Sequence, residues 1–249
     1  MYLDYQPADD LLKDKTILVT GASSGIGKAV SLGAAKCGAT VILLGKNMKK
    51  LEAVYDEIEA SGGPQPAIYP LNLEGASPKD YHDMAETIGK EFNQLDGLVN
   101  NAGILGGLTP IANYDIENWY RVLQVNLNSA FVVTQMLLPL LKKAYTSSII
   151  FTGSGVGRKG RAYWGAYAIS KFGVEGLNQV LADELEENTR VRCNCVNPGK
   201  TRTEMRRSAY PGEDPQTLIT PEQLVPAYLY LLSDESMSVH GQSIDLQSK

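Results

Sequence analysis

The sequence predicts an α/β fold: a single domain on a doubly wound parallel sheet of about seven strands, with helices on both faces. Three observations lead there. Short apolar runs alternate along the chain with longer amphipathic ones, the pattern of parallel strands joined by right-handed helical crossovers. Residues 17–19 and 41–44 are apolar at every position, so those strands are covered on both faces. No linker-like stretch divides the 249 residues, a length that one large α/β domain fills.

In chain order, strands rich in Val, Ile and Leu are expected at 16–20, 40–44, 66–69, 97–100, 148–152, 191–196 and 242–246. The helices between them have readable ends. A glycine turn after the first strand opens a helix running through Cys37. Asn47 caps a helix over 48–60, with Gly62-Gly63 after it. Ser77 followed by Pro78 starts a helix to about Phe92. Long apolar helices are expected over 117–142 and 165–188. Thr220-Pro221-Glu222-Gln223 reads as a capping box with proline at the first helical position. Segment 204–219 contains Pro211-Gly212-Glu213-Asp214-Pro215 and lacks a strong apolar period. It reads as a mobile loop over an active site that carries much of the substrate specificity.

Composition excludes several function classes. A formal net charge of −5 provides no basic field for nucleic acid. Cys37, Cys193 and Cys195 form no disulfide framework and suit a reducing compartment. Cys193 and Cys195 share one strand face and read as packing groups. His82 and His240 make no metal cluster, so no metal is expected. Residues 1–12 are acidic and do not read as a secretory signal. The apolar run 130–141 is interrupted by Thr134, Gln135 and Pro139 and is too short to span a membrane. A cytoplasmic protein without a membrane partner is expected.

The chemistry-bearing residues fall at the carboxyl ends of strands, where ligands bind in such folds. Gly21, Gly25 and Gly27 follow the first strand with GxxxGxG spacing. They allow a tight turn and leave helix N–H groups facing an anion, with Ser23 and Ser24 able to donate to phosphate or ribose. Asn100-Asn101-Ala102-Gly103 follows the fourth strand, Gly153-Ser154-Gly155 the fifth and Asn197-Pro198-Gly199 the sixth. Tyr167 and Lys171, four residues apart, share a helix face. An ammonium there stabilises a phenolate and lowers the phenol's pKa.

Together, TGASSGIG at 20–27, NNAG at 100–103, the serine, YxxxK and PG resemble the short-chain dehydrogenase/reductase family over almost the whole chain. Segments 124–135, 165–182 and 197–207 resemble its YciK-type bacterial oxidoreductases. The resemblance implies a Rossmann-type fold and an NADP(H)-linked enzyme acting on a small-molecule carbonyl or alcohol. It makes Tyr167 the catalytic acid/base, Lys171 its pKa modulator and a ribose ligand, and Ser154 the hydroxyl that holds the substrate carbonyl. Asn126 supports a water-linked proton relay to Lys171. Cofactor contacts are expected from Gly21, Ser23, Ser24, Gly25, Ile26 and Gly27, and from Lys46 and Asn47 after the second strand. Asn72 and Leu73 follow the third strand, and Asn101, Ala102 and Gly103 the fourth. Tyr167, Lys171, Pro198, Gly199, Thr201 and Thr203 complete the set.

Lys46 supplies a cation for a 2′-phosphate, with no carboxylate competing after the second strand; Lys49 and Lys50 read as solvated. Asn72 stands where the family often carries Asp, and its amide oxygen accepts the same adenine bond. The C-terminal IDLQSK lacks the family's DGG pattern, which removes one basis for tetramer contacts. A homodimer is expected through helices 117–142 and 165–188, with Leu123, Leu127, Phe131 and Met136 on one and Phe172, Val174, Leu177 and Leu181 on the other. A tetramer is the alternative assembly. Arg158, Lys159, Arg161, Lys200, Arg202, Arg206 and Arg207 flank the site, and either select an anionic substrate or are solvated loop charges. Two rival functions stand beside the oxidoreductase: a catalytically weak cofactor-binding regulatory protein, and an epimerase or dehydratase. The complete Asn126, Ser154, Tyr167 and Lys171 set argues against the first. The short stretch after the PG motif argues against the second.

Overall fold

The wholly buried run Ile17, Leu18 and Val19 forms the middle of β1 (Thr16–Thr20), the centre of the computed structural model, which describes residues 2–186 and 189–247. Six further strands pair in parallel around it: β2 (Thr40–Gly45), β3 (Ala67–Pro70), β4 (Gly97–Asn100), β5 (Ser147–Thr152), β6 (Val191–Asn197) and β7 (Ser243–Asp245). Their order is β3-β2-β1-β4-β5-β6-β7. The chain moves outward from β1 to β3, then returns to the other side of β1 as β4. The β1/β4 boundary is therefore the switch point that opens a ligand crevice.

Side chains alternate across each strand and divide the core into two layers. Ile17, Val19, Val41 and Leu43 face α1 (Gly25–Lys36), α2 (Met48–Ala60) and α8 (Val225–Leu232), where Val30, Leu51 and Tyr228 meet them. Leu18, Ile42, Leu98 and Phe151 face α3 (Pro78–Phe92), α5 (Ser129–Leu141) and α6 (Gly165–Glu186), through Met84, Val133 and Val174. Cys193 and Cys195 pack in this second layer as buried free thiols.

The expected caps form. The Asn47 side chain accepts from the Lys50 amide, Ser77 and Asp80 cap each other's backbone, and Thr220 with Gln223 closes the turn Pro221–Leu224 ahead of α8. Two expectations are corrected. Residues 117–142 do not form one regular helix. α4 (Ile116–Leu123) is separated from α5 by a widened turn at Gln124–Asn128, in which the Ser129 amide bonds back to the Gln124 carbonyl, five residues earlier. Segment 204–219 is not loop throughout. It holds α7 (Glu204–Ala209), capped by the Thr203 hydroxyl, a short turn at Pro215–Thr217 capped by Asp214, and a parallel bridge between Thr201 and Ile219. The end of the expected 165–188 helix and the last two residues of IDLQSK lie outside the described residues. Among the described residues no helix is long and apolar enough to cross a membrane.

Candidate active site

A cleft of about 410 Å³ opens at the carboxyl ends of β1, β2, β4, β5 and β6. Its floor begins at the glycine turn. Gly21 has φ 67°, a left-handed conformation that side chains disfavour, and a Cβ on Gly27 would lie 2.3 Å from the Gly21 carbonyl oxygen. Gly27 thus lets α1 press onto the turn, while Gly21, Ser23, Ser24, Gly25 and Ile26 line the cleft. Ser24 is the N-cap of α1, and its side chain makes no capping bond. First-turn N–H groups and free hydroxyls facing a concave surface fit a phosphate.

The NNAG loop is tied to the same turn. The Thr20 hydroxyl accepts from the amides of Asn101 and Ala102, both at 3.0 Å, and the Asn101 side chain donates to the Thr20 carbonyl at 3.2 Å. Asn101 is thereby a staple as well as a lining residue, beside Ala102 and Gly103. At the far end, Lys46, Asn72 and Leu73 line the cleft, and the Asn72 amide oxygen accepts weakly from the Glu74 amide at 3.4 Å. Asn47 is the cap of α2 and does not line the cleft. No carboxylate stands beside Lys46 after β2, but one reaches it from another strand end. Glu74 lies 3.9 Å from its Nζ and 3.0 Å from Arg121 Nε, brought there by the turn after β3. Pro198, Gly199, Thr201 and Thr203 line the opposite wall; the Asn197 side chain accepts from the Gly199 amide, and the Gln247 side chain donates to the Pro198 and Lys200 carbonyls.

Ser154, Tyr167 and Lys171 meet at the inner end. α6 places Tyr167 and Lys171 on one face, and both are buried. Lys171 Nζ donates to the Thr152 carbonyl at 2.7 Å and sits 5.7 Å from the Tyr167 ring centroid. Burial pushes the Tyr167 phenol up to about 12, against the pull of its Ser154 partner. Burial draws the Lys171 ammonium down to about 8, opposed by charges that include Glu175. The expected lowering of the Tyr167 pKa by Lys171 is therefore not seen in the chain alone. The ammonium points at Thr152 over the ring, and desolvation of the phenol dominates.

Asn126 lies behind this group, in the widened turn. Its amide oxygen accepts from the Ile104 amide at 2.8 Å, and its amide nitrogen donates to the Ile104 carbonyl at 2.9 Å and to the Ser170 hydroxyl at 3.1 Å. The side chain thus locks the NNAG loop to α6 and does not line the cleft.

Four arginines of the basic flank are engaged within the chain. Arg158 bridges Glu175 at 3.0 Å and Asp245 at 2.8 Å. Arg206 grips Glu213 through Nε and Nη2, both at 2.6 Å, and Arg207 pairs with Glu204. Arg202 donates to the carbonyls of Pro215 and Leu218. Sequence reasoning missed Glu74 and a set of apolar wall residues: Ile104, Leu105, Trp164 and Met205. Trp164 stands one helical turn before Tyr167, the one local signal that could have placed it.

The family described as short chain dehydrogenase matches residues 15–214. The chain is 49% identical over 245 residues to the oxidoreductase YciK of Escherichia coli (strain K12), covering 98% of this chain and 96% of that protein. It matches a short chain dehydrogenase structure from Pseudomonas syringae with TM-score 0.96 and 49% identity, over 98% of this chain and 99% of that one. It matches another from Escherichia coli CFT073, complexed with NADPH, with TM-score 0.94 and 49% identity, over 97% and 100%.

Proposed function

The chain belongs to the short chain dehydrogenase family, and from that premise we propose that it is an NADP(H)-dependent oxidoreductase interconverting a carbonyl compound and its alcohol. The observation that carries the reading is the meeting of Ser154, Tyr167 and Lys171 at the inner end of a cleft whose outer part is a glycine-turn anion cradle. The cleft fits the dinucleotide: the Gly21–Gly27 contact clears the approach to α1, and Lys46 stands at the end of β2 for the 2′-phosphate. The bound cofactor supplies or accepts the hydride.

The residues of the chain do the rest. The Ser154 and Tyr167 hydroxyls hydrogen-bond the carbonyl oxygen as negative charge develops on it. Tyr167 donates its proton to that oxygen in reduction and takes it back in oxidation. The phenol is protonated at neutral pH, the form required of a proton donor. Lys171 places a positive charge over the ring, and Asn126 holds the NNAG loop and α6 in register behind it. Segment 204–219, whose two ends are tied by the bridge between Thr201 and Ile219, closes over the substrate end on this reading.

A homodimer is proposed through α4, α5 and α6. Val174 and Leu181 belong to the protein's own core, but Phe131, Ile169 and Phe172 remain 46%, 49% and 42% exposed on the sides of α5 and α6 turned away from it. The enzymatic reading is tested by Tyr167→Phe, which should lower turnover by ~10²–10⁴-fold and leave NADPH binding close to wild type. Near-wild-type kcat on a reducible carbonyl would refute it.

A further inference from the structure

We propose that the substrate end of the cleft takes a neutral, ring-bearing aldehyde or ketone seated against Trp164, and discriminates against carboxylate-bearing analogues. This rests on the oxidoreductase reading above and specifies its substrate class. The wall beside the reacting hydroxyl is apolar. Val156, Tyr167 and Ala168 form a small buried cluster, with Leu105, Trp164 and Met205 packed against it.

Trp164 is the middle of an aromatic row. Its ring lies 5.6 Å from Tyr167 and 5.9 Å from Tyr210, tilted by 57° and 40°. The Arg206 guanidinium covers the Tyr210 ring at 3.8 Å. Tyr210 does not itself line the cleft but backs Trp164, whose exposed part stands beside the catalytic phenol as a flat surface on which another ring packs well. The backbone supports the placement. Tyr163 holds φ 74°, costly for a bulky aromatic residue, while its own side chain stays exposed and Trp164 lines the cleft. The Thr109 amide holds this corner by donating to the Tyr163 carbonyl at 3.0 Å.

The charges point the same way. Among the described residues, Arg206 is the one arginine lining the cleft, and its Nε and Nη2 are both taken by Glu213. Lys171 donates to Thr152 over the Tyr167 ring, and Lys46 stands at the cofactor's far end. Glu204 also lines the cleft. A substrate carboxylate entering beside Trp164 would lose hydration against an apolar wall, and the one arginine lining the cleft is already engaged by Glu213. A neutral ring loses nothing of the kind.

The test compares benzaldehyde and methyl 4-formylbenzoate with 4-carboxybenzaldehyde, following NADPH oxidation at low salt. Both neutral aldehydes should exceed the carboxylate in kcat/KM by on the order of 10²-fold. Trp164→Ala should raise KM for benzaldehyde about ten-fold, with a smaller effect on kcat. Binding is read without turnover in Trp119→Phe, which leaves Trp164 as the sole tryptophan of the two in the chain. With NADP⁺ bound no hydride is available, and saturable quenching by benzaldehyde but not by 4-carboxybenzaldehyde is expected. Such quenching without NADPH oxidation would support the substrate class while refuting the enzymatic reading. Equal or tighter binding of the carboxylate, no saturable quenching by benzaldehyde, or an unchanged KM in Trp164→Ala would overturn the substrate class.

Discussion

Lys171→Met isolates what it costs this fold to bury an ammonium beside its reacting phenol. Lys171 is 4% exposed and makes one hydrogen bond, to the Thr152 carbonyl. Burial draws its pKa from 10.5 to about 8. Below about pH 8 the folded and unfolded chains both hold this proton. Between about 8 and 10.5 the unfolded lysine keeps it while the folded one has released it, so the unfolded state binds more protons and stability rises with pH. That difference is worth about 3 kcal/mol in full, of which about 2 kcal/mol is reached by about pH 9.5. Methionine does not titrate, so wild-type stability should climb by this amount relative to the variant. At neutral pH the relief of burial is offset by the Thr152 carbonyl left without a donor, about 1–3 kcal/mol, so the pH dependence carries the test. Tyr167 contributes with the opposite sign. Its folded pKa of about 12 lies above its ordinary value of 10.0, so it removes stability only above about pH 10, and in both proteins. Urea unfolding followed by circular dichroism from about pH 7 to 9.5 makes the measurement. A wild-type-minus-variant difference that stays flat over that range would refute the reasoning. Turnover should be lost in the same variant.

Lys46→Ala should weaken NADPH binding by about five- to ten-fold with little effect on NADH, since an exposed charge of this kind is worth ~1 kcal/mol; equal losses for both cofactors would defeat the assignment. Glu74→Gln should act in the opposite direction, because it removes the carboxylate 3.9 Å from Lys46. Phe172→Glu should shift the protein to a monomer in light scattering, and a monomeric wild type at micromolar concentration would rule out the proposed dimer. Ser77→Ala should lower stability by ~1 kcal/mol in denaturant unfolding, since it removes one half of the capping box at α3.

Local physics made much of this protein readable from its residues alone. The alternation of apolar strands and amphipathic helices implied the seven-stranded parallel sheet, because burial on two faces leaves strands without polar positions. The caps at Asn47, Ser77 and Thr220 were legible because each bond closes within three residues. The glycine turn and the strand-end motifs were legible because topology carries every strand's carboxyl end to the same side. What tertiary structure decided lies beyond that range. The widened turn at Gln124–Asn128 accompanies Asn126 bonding to Ile104, 22 residues away, and helical periodicity contains no sign of it. α7 lacks an apolar stripe and is steadied by a cap and by the Arg206–Glu213 pair, so a pattern search passes over it. An anion site and solvated loop charges were both open for the basic flank until Glu175 and Asp245 reached Arg158 from α6 and β7, and Glu213 folded back onto Arg206. The Tyr167 pKa turned upward because burial, which no spacing encodes, outweighed the hydrogen bond from its Ser154 partner. Hydrogen bonds and periodicity act over a turn of chain, and the sequence displays them; desolvation and charge pairing depend on which distant segments pack together, and only the folded chain determines that.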